Sequence, residues 1–130
     1  MKDSISKVEK FHAAFGHPVE TSLTTAPDVH DLRFDLIHEE LYEYKQSCKR
    51  ADIVGIADAL GDLLVVVFGA VLCHGLQDHI KPVFNEIMRA NMSKLGEDGK
   101  PVYRDDNKIL KGPNYSPPNI EKIINASKSK

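Results

Sequence analysis

Two aspartates interrupt the most apolar stretch of this 130-residue chain, the segment IADALGDLLVVVFGAVL. Asp58 and Asp62 are four residues apart, which places them one above the other on one face of a helix. Carboxylates are seldom buried without a partner, because an unpaired buried charge is costly. The segment therefore predicts a helix that holds two carboxylates against another helix of an all-helical protein.

A second group of acidic residues lies upstream, in the segment DLIHEELYEY. Glu39, Glu40 and Glu43 fall within an arc of about 100° on one helix face. Such a cluster on its own is most often a solvated surface. Together with the two aspartates it favours a shared divalent cation with oxygen ligands, Mg²⁺ or alternatively Mn²⁺.

The carboxylates also allow two interpretations that require no metal. The glutamates could form a solvated face, even though Glu39 and Glu43 form a like-charge pair that costs a few tenths of a kcal/mol. The aspartates could pair with Arg33 or Arg50 from a neighbouring helix.

Hydrophobic periodicity predicts four helices with short connections, the pattern of an α-helical bundle. The helices are expected over about 4–15, 28–50, 52–74 and 77–95, and glycines at 16, 75 and 96 act as stops. The second helix has an apolar stripe roughly opposite its glutamates, formed by Phe34, Ile37, Leu41 and Tyr44. The third is apolar nearly all round and is expected to be buried on most sides, partly against a second copy of the chain.

The chain beyond residue 95 departs from helical periodicity. Strands over 101–104 and 109–111 are expected to form a short hairpin around Asn107, which tolerates a positive φ. A loop over 111–118 then leads to a short last helix over 118–126 and a frayed end at 127–130. The expected fold is an all-α four-helix bundle over 1–95, with a basic extension over 96–130 packed on the same domain.

Charge and composition exclude several classes of function. The net charge of −2 implies neither nucleic-acid nor membrane binding. The longest uncharged run, residues 63–73, is well short of the ~20 residues that cross a bilayer. Cys48 and Cys73 are isolated, the histidines show no paired zinc-ligand spacing, and neither common nucleotide-binding glycine loop is present. Without a signal-peptide pattern, the expected location is the cytoplasm, with reduced thiols.

Positive charge concentrates at the C-terminal end. Residues 1–93 carry a net charge of −5 and residues 94–130 a net charge of +3. The basic segment could bind an anion or be a solvated tail. Within the fourth helix, Asn91 falls in the apolar stripe of Phe84, Ile87, Met88 and Leu95, where it could bond a neighbouring helix or a ligand.

The motif Glu-Glu-x-x-Glu on one helix, with an Asp-ending acidic motif on the next, resembles the all-α nucleoside triphosphate pyrophosphohydrolases. These are the MazG-like proteins, related to helical dUTPases and phosphoribosyl-ATP pyrophosphohydrolases. The similarity covers about residues 30–95, and the segment NMSKLGEDGKPVYRDDNKILKGPNYSPPNI is similar to an extension in a phage and bacterial subgroup. One departure is that the second motif usually reads Glu-x-x-Asp, and its glutamate position is Ala59 here. Asp58, one residue earlier, is a candidate replacement.

The resemblance implies Mg²⁺-dependent hydrolysis of an NTP or dNTP between the α and β phosphates, giving a monophosphate and pyrophosphate. It also implies a homodimer or a dimer of dimers. The alternative is a non-catalytic nucleotide- or metal-binding protein of the same fold, or an unrelated helical interaction module. For the enzyme, the expected metal ligands are the five carboxylates, Glu39, Glu40, Glu43, Asp58 and Asp62. Glu39 is also the candidate base and Lys94 the candidate stabiliser of the leaving group. The expected substrate contacts are Asn91, Arg104, Lys108, Lys111 and Tyr115.

The first helix offers one further set of candidates. Phe11, His12 and Phe15 could stack on a base, although residues of this kind at helical spacing more often belong to the core.

Overall fold

The order of elements along the chain is close to the predicted one. A computed structural model describes residues 1–126, which form five helices and one two-stranded antiparallel sheet. The elements are α1 (Lys2–Phe15), α2 (His30–Lys49), α3 (Ile53–Cys73), α4 (Ile80–Met92), β1 (Val102–Tyr103), β2 (Ile109–Leu110) and α5 (Ile120–Ala126). The all-α class, the C-terminal hairpin and the short last helix are confirmed. The end predicted to fray, 127–130, lies outside the described residues.

Local chemistry explains where the helices begin and end. Gly16 ends α1 and Gly75 follows α3, both with a positive φ, 72° and 69°, that suits glycine. Asp52 caps α3, because its side chain accepts a hydrogen bond of 3.1 Å from the amide of Gly55. Helix α4 ends three residues earlier than predicted, because the amides of Lys94 and Leu95 bond the carbonyls three residues back, at Asn91 and Met92, instead of four residues back.

Internal contacts divide the chain into two compact units, Met1–Asp78 and a second one that begins at His79. In the first unit, α2 packs along α3 and α1 also packs on α3. In the second unit, α5 packs on α4 and β1 pairs with β2, with Val102 opposite Leu110. The predicted single domain with a bundle over 1–95 stays a prediction.

The buried line of α2 is polar, which the sequence did not predict. Arg33 and Ser47 are buried, whereas Phe34 and Leu41 of the predicted apolar stripe are 65% and 51% exposed. On the facing helix the buried residues include Ala59 and Gly69. Short or absent side chains on α3 therefore leave room for polar side chains on α2. Of the predicted apolar stripe, Phe34 and Leu41 are exposed, whereas Ile37 and Tyr44 are half-buried.

Helix α3 is much less buried in one copy of the chain than predicted. Ile53, Val54 and Leu64 are 73%, 76% and 58% exposed, and burial concentrates at the C-terminal end around Val71–Cys73. By length and composition alone α3 could also cross a bilayer, as can the core helices of many soluble proteins. Asp58 and Asp62 lie within it, and carboxylates inside a bilayer are costly.

An ion pair on α4 links this helix to the segment before α5 in the second unit. Glu86 accepts hydrogen bonds from Arg89 at 2.6 and 3.1 Å and from the backbone amide of Asn119 at 2.8 Å. Arg89 also donates to the carbonyls of Ser116 and Pro117. These bonds fasten the segment before α5 onto α4.

The apolar stripe predicted on α4 is not a buried face in this unit. Phe84, Ile87 and Met88 are 50%, 41% and 43% exposed, and Asn91 is exposed as well. The expectation of a buried Asn91 is therefore wrong, because no element covers this side of α4 within the described part of its unit.

Candidate metal centre

Two contacts fix the register of α2 against α3. A methyl group added to Gly55 would lie 2.7 Å from Ser47 Oγ, and one added to Gly69 would lie 3.1 Å from Arg33 Nη1. The two helices are therefore antiparallel, with Ser47 beside Gly55 at one end and Arg33 beside Gly69 at the other. Glu40 lies seven residues from both Arg33 and Ser47, and Asp62 lies seven residues from both glycines.

The midpoint of this helix pair thus brings Glu40 of α2 opposite Asp62 of α3. Glu40 is half-buried, and its environment raises the pKa of its carboxyl above the ordinary value. Burial is the largest cause, followed by the negative charges of Asp62, Glu39, Glu43 and Asp58. The four other predicted carboxylates therefore all act on Glu40, since each of them raises the pKa of its carboxyl.

The described residues supply no counter-charge to the two aspartates. Neither Asp58 nor Asp62 forms an ion pair within residues 1–126. Arg50 instead donates to Ser47 at 3.3 Å, and Arg33 lies at Gly69. The alternative in which one of these arginines neutralises the aspartates is not what the structure shows.

The donor chemistry of this place fits a hard divalent cation. All five side chains offer carboxylate oxygens, and four of them, every one except Glu40, are exposed to incoming ligands. Within residues 1–126 no three acidic, His or Cys side chains already have the arrangement of a metal site. Like charges repel one another, so a bound cation would be needed to draw these side chains together.

Comparison with known proteins assigns the family. A family model described as phosphoribosyl-ATP pyrophosphohydrolase matches residues 8–91. This range includes α1 from Val8 onward, all of α2 and α3, and most of α4. The chain belongs to this family.

Two further similarities are weaker. The chain is 35% identical over 82 residues to an uncharacterized protein of Acanthamoeba polyphaga mimivirus, a match that covers 58% of the chain and 33% of the relative. The chain thus spans about a third of the length of this relative. A crystal structure of a candidate NTP pyrophosphohydrolase from Exiguobacterium sp. 255-15 has the same fold, with a TM-score of 0.56 and 24% identity, covering 97% of this chain and 96% of that one.

The departure from the MazG-like motif lies at a buried position. Ala59, where the motif usually has glutamate, is 2% exposed, whereas the neighbouring Asp58 is exposed. The two side chains leave α3 in different directions, and the replacement of the missing glutamate by Asp58 stays a prediction. The charge of Asp58 still raises the pKa of Glu40, although it is the weakest of the four charges that do so.

The predicted substrate-binding residues belong to the second unit. Lys111 lies over the ring of Tyr115, with Nζ 4.7 Å from the ring centroid, and the Lys94 carbonyl bonds the same loop at Gly112. Arg104 is already paired with Asp106, at 2.5 Å. The amide of Arg104 donates to the carbonyl of Lys108 at 2.8 Å across the hairpin. Lys111 and Tyr115 thus lie in one loop, which Lys94 contacts through its carbonyl. Arg104 and Lys108 lie in the adjacent hairpin.

The sequence did not reveal that Arg33 is buried. Arg33 was considered only as a partner for aspartates, yet it is 4% exposed and lies beside His12, which is 2% exposed. The signal was its spacing, because Arg33, Glu40 and Ser47 recur every seven residues on one side of α2. On α1, the expectation of core aromatics is wrong for Phe11 and Phe15, which are 44% and 69% exposed.

Proposed function

We propose that this protein is an Mg²⁺-dependent pyrophosphohydrolase of nucleoside triphosphates, with Mn²⁺ as an alternative metal. Its family places it among the nucleotide pyrophosphohydrolases. The observation that carries the finer proposal is the register of α2 and α3, which brings Glu40 opposite Asp62 with Glu39, Glu43 and Asp58 nearby. Within residues 1–126 neither aspartate has an ion-pair partner. Bound Mg²⁺ would neutralise this charge and bind phosphate oxygens of the substrate.

In the proposed reaction a water oxygen bonds to the α phosphorus and the bond from that phosphorus to the bridging oxygen breaks. The products are a nucleoside monophosphate and pyrophosphate, and the water loses a proton. Glu39, which is exposed and adjacent to Glu40, is the proposed acceptor of that proton. Glu40, Glu43 and Asp62 are the proposed principal metal ligands, with Asp58 beside them.

The basic residues of the second unit are proposed to bind phosphate. Lys94, Lys108 and Lys111 carry the charge that would offset the leaving pyrophosphate, and Arg104, Asn91 and Tyr115 are the further proposed contacts. If they do so, neutralising one lysine should raise KM for the nucleotide more than it changes binding of the metal alone.

The outward face of α3 supports assembly with a second copy. Ile53, Ala57, Leu60, Leu64 and Val67 recur at alternating steps of four and three, the spacing of a coiled-coil seam, and all five are exposed. Burying this seam in a homodimer, or in a dimer of dimers, would remove the apolar surface from water. Sedimentation of the wild type and of Leu64→Lys tests this, and a wild-type monomer would contradict it.

Pyrophosphate release tests the function. Each NTP and dNTP, and phosphoribosyl-ATP, is incubated with the protein and Mg²⁺, alongside Glu43→Gln and the matched control Asp35→Asn, an exposed residue of the same helix. We expect release by the wild type and the control, and a loss of about 100-fold in Glu43→Gln. Equal activity in Glu43→Gln would contradict the site.

Absence of pyrophosphate with every nucleotide would contradict the enzyme and leave the non-catalytic alternative. Thermal unfolding with and without Mg²⁺ separates the two remaining cases. A protein that only binds metal would still gain stability from Mg²⁺. A helical interaction module with solvated acidic faces would not.

A further inference from the structure

Arg33 presents a complete, unused hydrogen-bonding edge inside the first unit. It is 4% exposed, and its Nε and Nη2 atoms are fully covered without a hydrogen-bond partner within the described part of the chain. These two nitrogens form the side-on edge of the guanidinium, which donates two parallel hydrogen bonds to one pair of acceptors. Buried donors of this kind normally have acceptors, so this edge is available to an acceptor pair of a ligand.

The neighbours of Arg33 do not provide these acceptors. His12 Nδ1 donates to the Pro18 carbonyl at 2.8 Å, and the Cys73 thiol donates to the same carbonyl at 3.7 Å. Burial lowers the pKa of His12, the hydrogen bond to the Pro18 carbonyl raises it, and the positive charge of Arg33 lowers it further. His12 Nε2 and Arg33 Nη1 both face Gly69, at 2.9 and 3.1 Å from where its methyl group would be.

An aromatic surface adjoins this cluster on α1. The rings of Phe11 and Phe15 are 4.9 Å apart, and His17 lies 5.9 Å from Phe11 and 5.3 Å from His12. Phe11 and Phe15 expose 44% and 69% of their surface. Exposed rings beside buried polar groups suit a planar heterocycle, which can stack on one and hydrogen-bond with the other.

The distance between Arg33 and the carboxylates suits one nucleotide. Seven residues of α2 separate Arg33 from Glu40, which at 1.5 Å per residue is about 10 Å along the helix axis. This is comparable to the reach of a nucleotide from its α phosphate to the far edge of its base. A nucleotide with its phosphates near Glu40 and Asp62 could therefore bring its base to Arg33.

We propose that Arg33 selects the base, because Nε–H and Nη2–H donate to two adjacent acceptors of guanine or cytosine. Guanine offers O6 and N7, and cytosine offers O2 and N3. Adenine and uracil place a donor beside each acceptor on their polar edges, so they leave one donor of Arg33 unpaired. Since the edge is covered, entry of the base requires movement of α1, which packs on α3. This assignment depends on the function proposed above.

The test compares bases and arginine variants. Values of kcat/KM are measured with dGTP, dCTP, dATP and dUTP for the wild type, Arg33→Met, Arg33→Lys and the matched control Arg50→Met. We expect the wild type and the control to favour dGTP or dCTP by about 10- to 100-fold. Arg33→Met and Arg33→Lys should lose this preference, because neither retains the two-donor edge. Arg33→Lys keeps the charge, so it remains informative if Arg33→Met does not fold.

Binding provides a second readout that does not need turnover. Dissociation constants of the four α,β-imido analogues are measured with the same variants in the presence of Mg²⁺. A wild type that favours dATP or dUTP, or that binds all four alike, would overturn the proposal. An equal loss for all four bases in both Arg33 variants would do so too, because it would make Arg33 structural. Failure of the enzyme proposal appears separately, as absence of pyrophosphate with a base preference still visible in binding.

Discussion

Within the described residues, the middle and one end of the α2–α3 pair lack opposite kinds of partner. The middle holds carboxylates without a cation from residues 1–126, and the end holds a buried cation without acceptors from the same range. At the middle, Glu40 is surrounded by four other carboxylates, and the aspartates among them have no ion-pair partner in residues 1–126. Two helical turns away, Arg33 is a buried cation with two donors that find no acceptor in the described part of the chain. The acidic place is open to water, whereas the basic one is closed. An open site can remain unsatisfied because water solvates it, but a closed one must be completed by a specific partner.

The largest change in stability at the acidic place is expected from adding a carboxylate at Ala59. Ala59→Glu places a charge at a position that is 2% exposed, so without metal we expect a loss of stability of about 3 kcal/mol. Because the motif usually has glutamate there, Mg²⁺ should restore more stability to the variant than to the wild type. Thermal unfolding with and without Mg²⁺ measures both effects. Equal Mg²⁺ effects in both proteins would show that this position does not reach the metal.

The basic end can be disturbed separately. Gly69→Ala adds a methyl group at 2.9 Å from His12 Nε2 and 3.1 Å from Arg33 Nη1, so we expect a cost of about 1–3 kcal/mol from overpacking. The stabilisation by Mg²⁺ should remain, because Asp62 is two turns away. Chemical denaturation with and without Mg²⁺ provides the measurement. If the variant also lost the Mg²⁺ effect, the two places would not be independent.

A smaller effect is expected from removing the central charge. The pKa of Glu40 is raised, so its ionised form destabilises the fold, and stability falls as the pH rises from the unfolded value of 4.5 through the raised value. Glu40→Gln should abolish this fall and gain on the order of 0.5 kcal/mol at pH 7 without metal. Unfolding curves from pH 4 to pH 8 would reveal it. A variant less stable than the wild type at pH 7 would contradict the repulsion.

Glu86 is a carboxylate that does have partners, and it serves as the reference. Its titration is expected to give the smallest effect on stability. Hydrogen bonds from Arg89 and from the Asn119 amide lower its pKa to about 2. Its contribution to stability is therefore present above pH 4.5 and is lost as the pH falls toward about 2. Hydrogen exchange of residues 116–126, expressed relative to the intrinsic rate at each pH, should increase over that range in the wild type. In Glu86→Gln the exchange of these residues should already be faster at pH 5. An unchanged rate would argue that the bonds of Glu86 do not hold this segment on α4.

The sequence predicted the helices well because their signals are local. Gly16, Gly75 and the Asp52 cap act through backbone conformation and one hydrogen bond, so neighbouring residues suffice to locate them. The acidic cluster was also predictable, since spacing places carboxylates on one face. The prediction that Glu40 and Asp62 share one site also required their two helices to pack against each other, which the glycines of α3 allow.

The errors arose where burial depends on what covers a helix. Phe34, Leu41 and Leu64 have the spacing of core residues, but spacing does not say which neighbour is present. Arg33 was misjudged for the converse reason, because charged residues are rarely buried without a partner. Its burial follows from Gly69 on the opposite helix, a relation between residues 36 positions apart that no local pattern contains.

The two glycines on α3 also act as a spacer. Gly55 and Gly69 let α2 approach closely at points on either side of the midpoint, where Ser47 and Arg33 contact them. They thereby set the width of the gap between Glu40 and Asp62. Since a bound cation holds its oxygen ligands at a nearly fixed distance, this gap limits the size of ion that both side chains can share. Ionic radius would then be selected partly by residues that carry no charge and touch no ligand.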